Sequence, residues 1–363
     1  MQYLRNCWYM VGWAKDFAAG QLVPLVLGNE RLVVYRSASG MLAALEDRCP
    51  HRLAPLSAGC LEHDNIRCLY HGLKFAPDGR CVQIPGQAAI PATVAARSFP
   101  IVEMHSAAWV WMGKKSNADP ALIPDFVGIE HPDWQMLPGR MDYNASYTLI
   151  NANLLDLSHV PYVHRNSFGG GEELNPEAGA AFTMAEPTIE TLDRGLRMTT
   201  VQKSTPTGAL FRNEVGPVTD MWTTNDFLVP GIFLLTMEFF APGAIDRAGG
   251  QRPTETPLHR NFSCQAVTPL TDRTSRYFYA FGPWPQSKMS AETFAKISEI
   301  AFAEDKAMIN AQQQVIDSAA AVRPKLLHMD KMNSKFDSIM RRLLAADAAE
   351  DGAVAHSLTA AVE

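Results

Sequence analysis

Apolar and polar residues alternate in short runs over residues 22–27, 31–35 and 42–45, separated by Gly28-Asn29-Glu30 and Ser37-Ala38-Ser39-Gly40. Period-two alternation broken by turn formers predicts antiparallel strands. Pro77-Asp78-Gly79 marks a hairpin turn, and residues 97–112 predict a further strand pair ending in Ala108-Trp109-Val110-Trp111-Met112. This β-rich pattern closes near residue 115. Residues 116–139, rich in Pro, Asp and Ala, read as a connector. From Met141 the pattern changes to one helical stretch, strands at 190–201, 227–240, 260–268 and 275–282, and a long late helix. Ser290 caps that helix, and Phe294, Ile297, Ala301, Met308 and Ile309 give it an apolar stripe. Residues 244–258, with scattered Pro, Gly and Thr, read as a long and partly disordered loop. The Ala-rich end from Ala345 is expected to fray. The pattern predicts an α+β chain divided as 1–115, a connector 116–140, a second domain 141–345 and a tail 346–363.

A length of 363 residues fits two domains, and 47% apolar with 19% charged residues supplies an ordinary globular core. A net charge of -6 without basic runs argues against nucleic acid or an anionic membrane as partner. No run resembles an 18-residue membrane span. The N-terminus lacks the charged head and apolar segment of a secretory signal, so the cytoplasm is expected. Cys7, Cys60, Cys81 and Cys264 show no disulfide spacing and read as small interior hydrophobes.

The remaining two cysteines belong to Cys49-Pro50-His51-Arg52 and Cys68-Leu69-Tyr70-His71-Gly72. Each loop offers one thiolate and one imidazole. That even split matches a Rieske [2Fe-2S] cluster, in which two Cys hold one iron and two His the other. A structural zinc site usually keeps like ligands together, two to five residues apart, and these mixed pairs do not follow it. Gly72 is expected to let the backbone turn tightly and aim amide N–H groups at the cluster sulfurs.

A cluster alone moves one electron, and residues 151–164 supply a reason for the rest of the chain. Asn153, Asp156 and His159 recur every three residues and are predicted to share one helix face. His164 lies about 140° further round an ideal helix, so a distortion, expected at Pro161, must bring both His to one metal. Two imidazoles and one carboxylate form the facial triad of non-haem Fe(II) oxygenases. The carboxylate must come from elsewhere. Asp305 lies on the 297, 301, 305, 309 row of the late helix and Glu304 borders the same stripe, so periodicity leaves both open.

These residues resemble the Rieske non-haem iron aromatic oxygenases of the vanillate and dicamba O-demethylase type. The resemblance runs through Arg5-Asn6-Cys7-Trp8-Tyr9, the cluster loops with Ala54-Pro55-Leu56-Ser57, and Asn153-Leu154-Leu155-Asp156-Leu157 with His159 and Tyr162-Val163-His164. It implies a Rieske β-domain followed by a helix-grip domain, in which a curved antiparallel sheet wraps a long helix. It implies cluster ligands Cys49, His51, Cys68 and His71, and selects Asp305 over Glu304 to join His159 and His164 on Fe(II). It further implies a homotrimer fed by a separate reductase, directly or through a ferredoxin. Electrons then cross between subunits through Asp156, which bridges His71 of one chain and His159 of the next. Asn153 stands beside Asp156 as a candidate catalytic residue. The Phe168-Gly169-Gly170-Gly171 run suits a mobile gate.

The expected reaction is O-demethylation of a methoxylated aromatic acid or phenol with O2, releasing formaldehyde. Methyl hydroxylation of an aryl sulfonate, N-demethylation and ring dihydroxylation are alternatives on the same machinery, and a Rieske electron carrier is the non-enzymatic one. Asn225, Met237, Gln265 and Tyr279, on or beside predicted strands, are the candidate substrate contacts.

Overall fold

Strand pairing in this computed structural model follows the turn chemistry closely in the first third of the chain. The structure describes residues 2–164, 167, 186–319 and 322–360. Its contacts divide the chain into unit 1, residues 1–125 with 268–272 and 346–363, and unit 2, residues 126–267 with 273–345.

Among the described residues, unit 1 contains β1 (Trp8–Trp13), β2 (Leu22–Leu27), β3 (Glu30–Arg36), β4 (Leu42–Glu46), β5 (Cys60–Glu62), β6 (Asn65–Arg67), β7 (Lys74–Phe75), β8 (Cys81–Gln83), β9 (Ser98–Phe99), β10 (Ile101–Met104) and β11 (Ala107–Trp111). They form three small sheets, ordered β1-β11-β10, β2-β3-β4-β9 and β5-β6-β7-β8. Leu27 meets Glu30 across the first turn, where Gly28 and Asn29 both take positive φ. A core of Val33, Tyr35, Leu45, Leu56, Ile66 and Phe75 packs with Cys49 and Cys68. Cys7, Cys81 and Cys264 are buried, Cys60 is half-buried, and all are free thiols.

Gly79 closes the predicted turn, donating its N–H to Ala76 O (2.8 Å) with φ +88°. A Cβ there would lie 1.9 Å from Ala96 O. Gly79→Ala therefore combines left-handed strain with a backbone clash and is expected to cost at least about 2 kcal/mol. A thermal midpoint equal to that of the parent protein would contradict this.

Unit 2 contains β12 (Leu137–Tyr143), β13 (Thr188–Leu192), β14 (Gly195–Pro206), β15 (Val218–Leu228), β16 (Ile232–Phe240), β17 (His259–Thr271) and β18 (Thr274–Pro283), the β17–β18 tip being counted with unit 1. They make one sheet ordered β12-β18-β17-β16-β15-β14-β13. Its helices are α1 (Tyr147–Leu155), α2 (Val160–Val163), α3 (Ala209–Val215), α4 (Ala244–Arg247), α5 (Ala291–Ser318) and α6 (Lys331–Ala360), whose last part belongs to unit 1. Ser290 caps α5 by accepting from Thr293 N, as expected. Helix α5 packs on β12 and β18. Tyr143 OH donates to Phe302 O (3.1 Å). The α+β class and the β-domain followed by a large antiparallel sheet with helices are as expected.

Several expectations need correction. The strands read at 190–201 and 227–240 are hairpins. Asp193-Arg194 turns the first, and Val229-Pro230-Gly231 the second, because Pro230 has no N–H for a ladder and Gly231 lies against the Asn151 side chain. The expected connector ends at Leu137, where β12 begins. Met308 points outward at 59% exposure, and the buried face of α5 runs instead through Phe294, Ser298, Ala301, Phe302, Asp305 and Ile309. Residues 244–258 are tied down: Asp220 accepts from Ile245 N (2.9 Å), and Arg252 grips buried Glu238 through two hydrogen bonds. Alanine, the best helix former, carries α6 on to Ala360. Within unit 1, Asp347 accepts from Arg5 N (2.6 Å) and Asn6 Nδ2 (2.9 Å). No described helix is long and apolar enough to cross a membrane. The 168–171 glycine run lies outside the described residues.

Candidate functional site

The two cysteine–histidine segments of unit 1 fold into the same loop twice. Cys49 N donates to Ala54 O (2.8 Å) and Leu53 N to Cys49 O (2.9 Å); Cys68 N donates to Leu73 O (2.8 Å) and Gly72 N to Cys68 O (2.9 Å). Each closure puts the fourth residue after the cysteine at positive φ, Gly72 at +74° and Leu53 at +59°. The Gly72 amide is thus used to close its own loop. The amides of His51 and Arg52 donate to the Cys49 sulfur. Asp47, buried beneath the first loop, accepts from both Ser57 N (2.7 Å) and Ser57 Oγ (2.8 Å).

Cys49 and Cys68 are buried, whereas His51 and His71 are exposed with ring centroids 4.5 Å apart. Burial, helped by neighbouring Cys68 and opposed by the two amides, pushes the Cys49 thiol up to about 11. A thiol raised in this way becomes a thiolate ligand where metal charge offsets the cost. Among the described residues, the one group of three or more His, Cys, Asp or Glu ligand atoms within 4.8 Å of one another lies elsewhere. Four ligands around one tetrahedral zinc would meet that condition. Sulfurs inside and imidazoles outside, without a common point, fit a two-iron cluster.

The convergent group lies in unit 2. Ser146 caps α1, which ends at Leu155; Asp156 leaves the helix (φ -125°, ψ 94°), and its Oδ1 accepts from Ser158 N (2.9 Å). The break expected at Pro161 therefore comes at Asp156, because this Asp caps a new 3-10 turn. Asn153, Asp156 and His159 do not share one continuous helix face. Pro161 sits in the first turn of α2, where a missing N–H costs nothing.

That break turns His159. Its Nδ1 meets Asp156 O (2.6 Å), and its Nε2 lies 3.5 Å from Asp305 Oδ1. His164 Nε2 lies 3.4 Å from Asp305 Oδ2. Asn153 Nδ2 donates to Asp305 Oδ1 (3.2 Å) and lies 3.3 Å from His159 Nε2. The pair on α5 is separated by geometry: Asp305 faces both Nε2 atoms, while Glu304 Oε2 sits behind His164, 3.1 Å from its Nδ1. Burial holds His159 below the ordinary histidine range against the pull of Asp305. Burial also lowers His164, but Asp305 and Glu304 more than offset it and hold that ring above the range. A buried carboxylate between two imidazoles fits a divalent iron with open positions. An apolar cavity of about 310 Å³ adjoins these three residues.

Glu304 was a rival ligand in the sequence and is a positioning residue in the geometry. Glu304→Gln is expected to weaken retention of the mononuclear iron by about tenfold, with cluster sulfide unchanged. Competition with a chelator measures this, and parent-like retention would contradict it.

Residues 7–100 match the Rieske [2Fe-2S] domain family, and residues 143–346 match the vanillate O-demethylase oxygenase C-terminal domain. The chain belongs to the vanillate O-demethylase oxygenase family. It is a Rieske oxygenase component, with a [2Fe-2S] cluster and non-haem iron as cofactors. It is 35% identical to the toluene-4-sulfonate monooxygenase system iron-sulfur subunit of Comamonas testosteroni, over 86% of this chain and 89% of that one. It is 33% identical to a vanillate O-demethylase oxygenase subunit of Pseudomonas sp., over 89% and 97% respectively. A crystal structure of dicamba monooxygenase with non-haem iron and dicamba superimposes with a TM-score of 0.77 at 26% identity, covering 96% of this chain and all of the other.

Of the four candidate substrate contacts of this oxygenase component, Met237 and Gln265 line the cavity. Asn225 and Tyr279 are not among the described lining residues. Asn225 is buried opposite Leu235, which does line it, and the Tyr279 ring packs on Phe302 at 4.6 Å. Thr223 and Ser263 line the cavity and had not been anticipated. Their signal was the period-two phase of β15 and β17, which needs the strand register to be read.

Proposed function

We propose that this oxygenase component O-demethylates a methoxylated aromatic acid or phenol. The carrying observation is the His159, His164 and Asp305 group opening on an apolar cavity. Iron bound there would activate O2 for insertion of one oxygen atom into a substrate C–H bond. The balance is ArOCH3 + O2 + 2e⁻ + 2H⁺ → ArOH + CH2O + H2O, the hydroxylated methyl ether being a hemiacetal that collapses. Phe233, Leu235 and Phe281 hold the ring away from water, and the Asp156 backbone oxygen and Glu304 fix the Nδ1 sides of His159 and His164.

Cys49, His51, Cys68 and His71 hold the cluster in this reading, and the two electrons come from a separate reductase, with or without a ferredoxin. We infer a cytoplasmic homotrimer in which Asp156 links the cluster of one subunit to the iron of its neighbour. A second reading, methyl-group hydroxylation, is favoured by the likeness to the toluene-4-sulfonate monooxygenase subunit. Holoenzyme given reductant, O2 and a panel of methoxybenzoates, methoxyphenols and toluene sulfonates separates the two. Formaldehyde in proportion to O2 consumed supports O-demethylation; hydroxymethyl products support the second reading, and a cis-diol overturns both.

A further inference from the structure

The cavity beside His159, His164 and Asp305 is long, and strand topology fixes which end holds those residues. Antiparallel β14, β15 and β16 are joined at opposite ends of the sheet: β15 turns into β16 at Val229-Pro230-Gly231, and β14 reaches β15 through α3. Asn151 Nδ2 on α1 donates to Pro230 O (3.0 Å), which ties the segment leading to Asn153 and His159 to the first of these connections. Leu210 and Phe211 of α3 line the cavity from the second. One cavity is therefore lined from both ends of β15.

Two elements measure its reach. Phe233, Leu235, Met237 and Phe239 alternate along β16 and all line the cavity, a span of about 20 Å at about 3.3 Å per residue. On α5, Phe302 packs on Tyr279 near Asp305, and Phe294 packs on Phe281 and Phe211 at the other end. The helix rises about 16 Å from Phe294 to Asp305, in keeping with the strand. A single methoxylated ring is roughly 10 Å long including its contact radii, so with its methyl group beside the two histidines it does not reach the α3 half. That half suits an apolar group. Met221 lies opposite Phe239, whose ring centroid is 4.8 Å from that of Phe211, and the Thr207 and Thr219 hydroxyls pair with each other (3.1 Å).

We propose that the substrate is an elongated methoxyarene, whose ring carries, para to the reacting methoxy group, an apolar arm that runs along β16 to Phe211 and Phe239. This rests on the O-demethylase reading for the group that reacts, and narrows it through the part that does not. Each methylene of the arm leaves water for apolar contacts, which tightens binding by up to about fourfold until the α3 wall is reached. Short ring substrates would leave that contribution unused.

Binding tests this without turnover. Anaerobic holoenzyme is titrated calorimetrically with 2-methoxy-5-methylphenol and with its 5-propyl and 5-pentyl analogues. Affinity is expected to rise along the series and to be at least about fiftyfold higher for pentyl than for methyl. In Met221→Trp, which fills the α3 half, that ratio is expected to fall at least about tenfold while the methyl compound binds as it does to the parent protein. An affinity that does not grow with the arm, or a pentyl advantage that survives Met221→Trp unchanged, would overturn the proposal. Should that variant fail to fold, the series in the parent protein decides alone. A pentyl compound that binds tightly but gives no formaldehyde on turnover would remove the O-demethylase reading and leave this one standing.

Discussion

Asp305→Ala is expected to empty the mononuclear iron site, abolish turnover and leave the cluster intact. Its two carboxylate oxygens face His159 Nε2 and His164 Nε2 separately, and the residue is only 4% exposed. Without it the site keeps two neutral imidazoles and no anionic ligand, which is a poor set for Fe(II). Helix α5 should stay in place, because Phe294, Ala301, Phe302 and Ile309 bury its inner face and Ser290 caps its start. Iron should therefore fall from about three to about two per chain, with acid-labile sulfide constant at about two. Parent-like iron in this variant would mean that Glu304 or another group serves as the ligand.

The second large effect concerns electron delivery. Asp156→Asn is expected to keep both metal centres loaded while lowering kcat by about a hundredfold. Asn caps helices as well as Asp does, so the bond from Ser158 N and the turn that aims His159 should survive. His159 is held through the backbone oxygen of residue 156, which the substitution leaves alone. What disappears is the negative charge and one acceptor oxygen, which the proposed link needs for an imidazole N–H of the neighbouring subunit's cluster, the His159 Nδ1–H being taken already by the backbone oxygen of residue 156. Rapid mixing of reduced enzyme with substrate and O2 reads the cluster directly. Its oxidation should stall in the variant, whereas loss of mononuclear iron would assign Asp156 a role in shaping the iron site.

The sequence was legible where chemistry is local. Both cluster loops sit within one short stretch, and the turns at Gly28-Asn29 and Gly79 demand positive φ, so ligand type and strand pairing could be read together. It was less legible where a residue's role depends on a partner far along the chain. The hairpin at Val229-Pro230-Gly231 was hidden because apolar residues continue on both sides of the turn. The helix break at Asp156 was misplaced because Pro161 is the stronger local signal, although a cap decides the matter. Glu304 and Asp305 could not be separated by spacing, since their partners far back in the chain, His159 and His164, distinguish them. The cavity floor depends on register across β15, β16 and β17, and no single strand reveals it.

The proposed reaction needs one chain to hold two unlike iron centres, one that stores an electron and one that uses it on O2. Iron and acid-labile sulfide, measured together on purified protein, test that most directly. About three irons and two sulfides per chain are expected. Two irons with two sulfides would leave an electron carrier, and zinc without sulfide would contradict both centres.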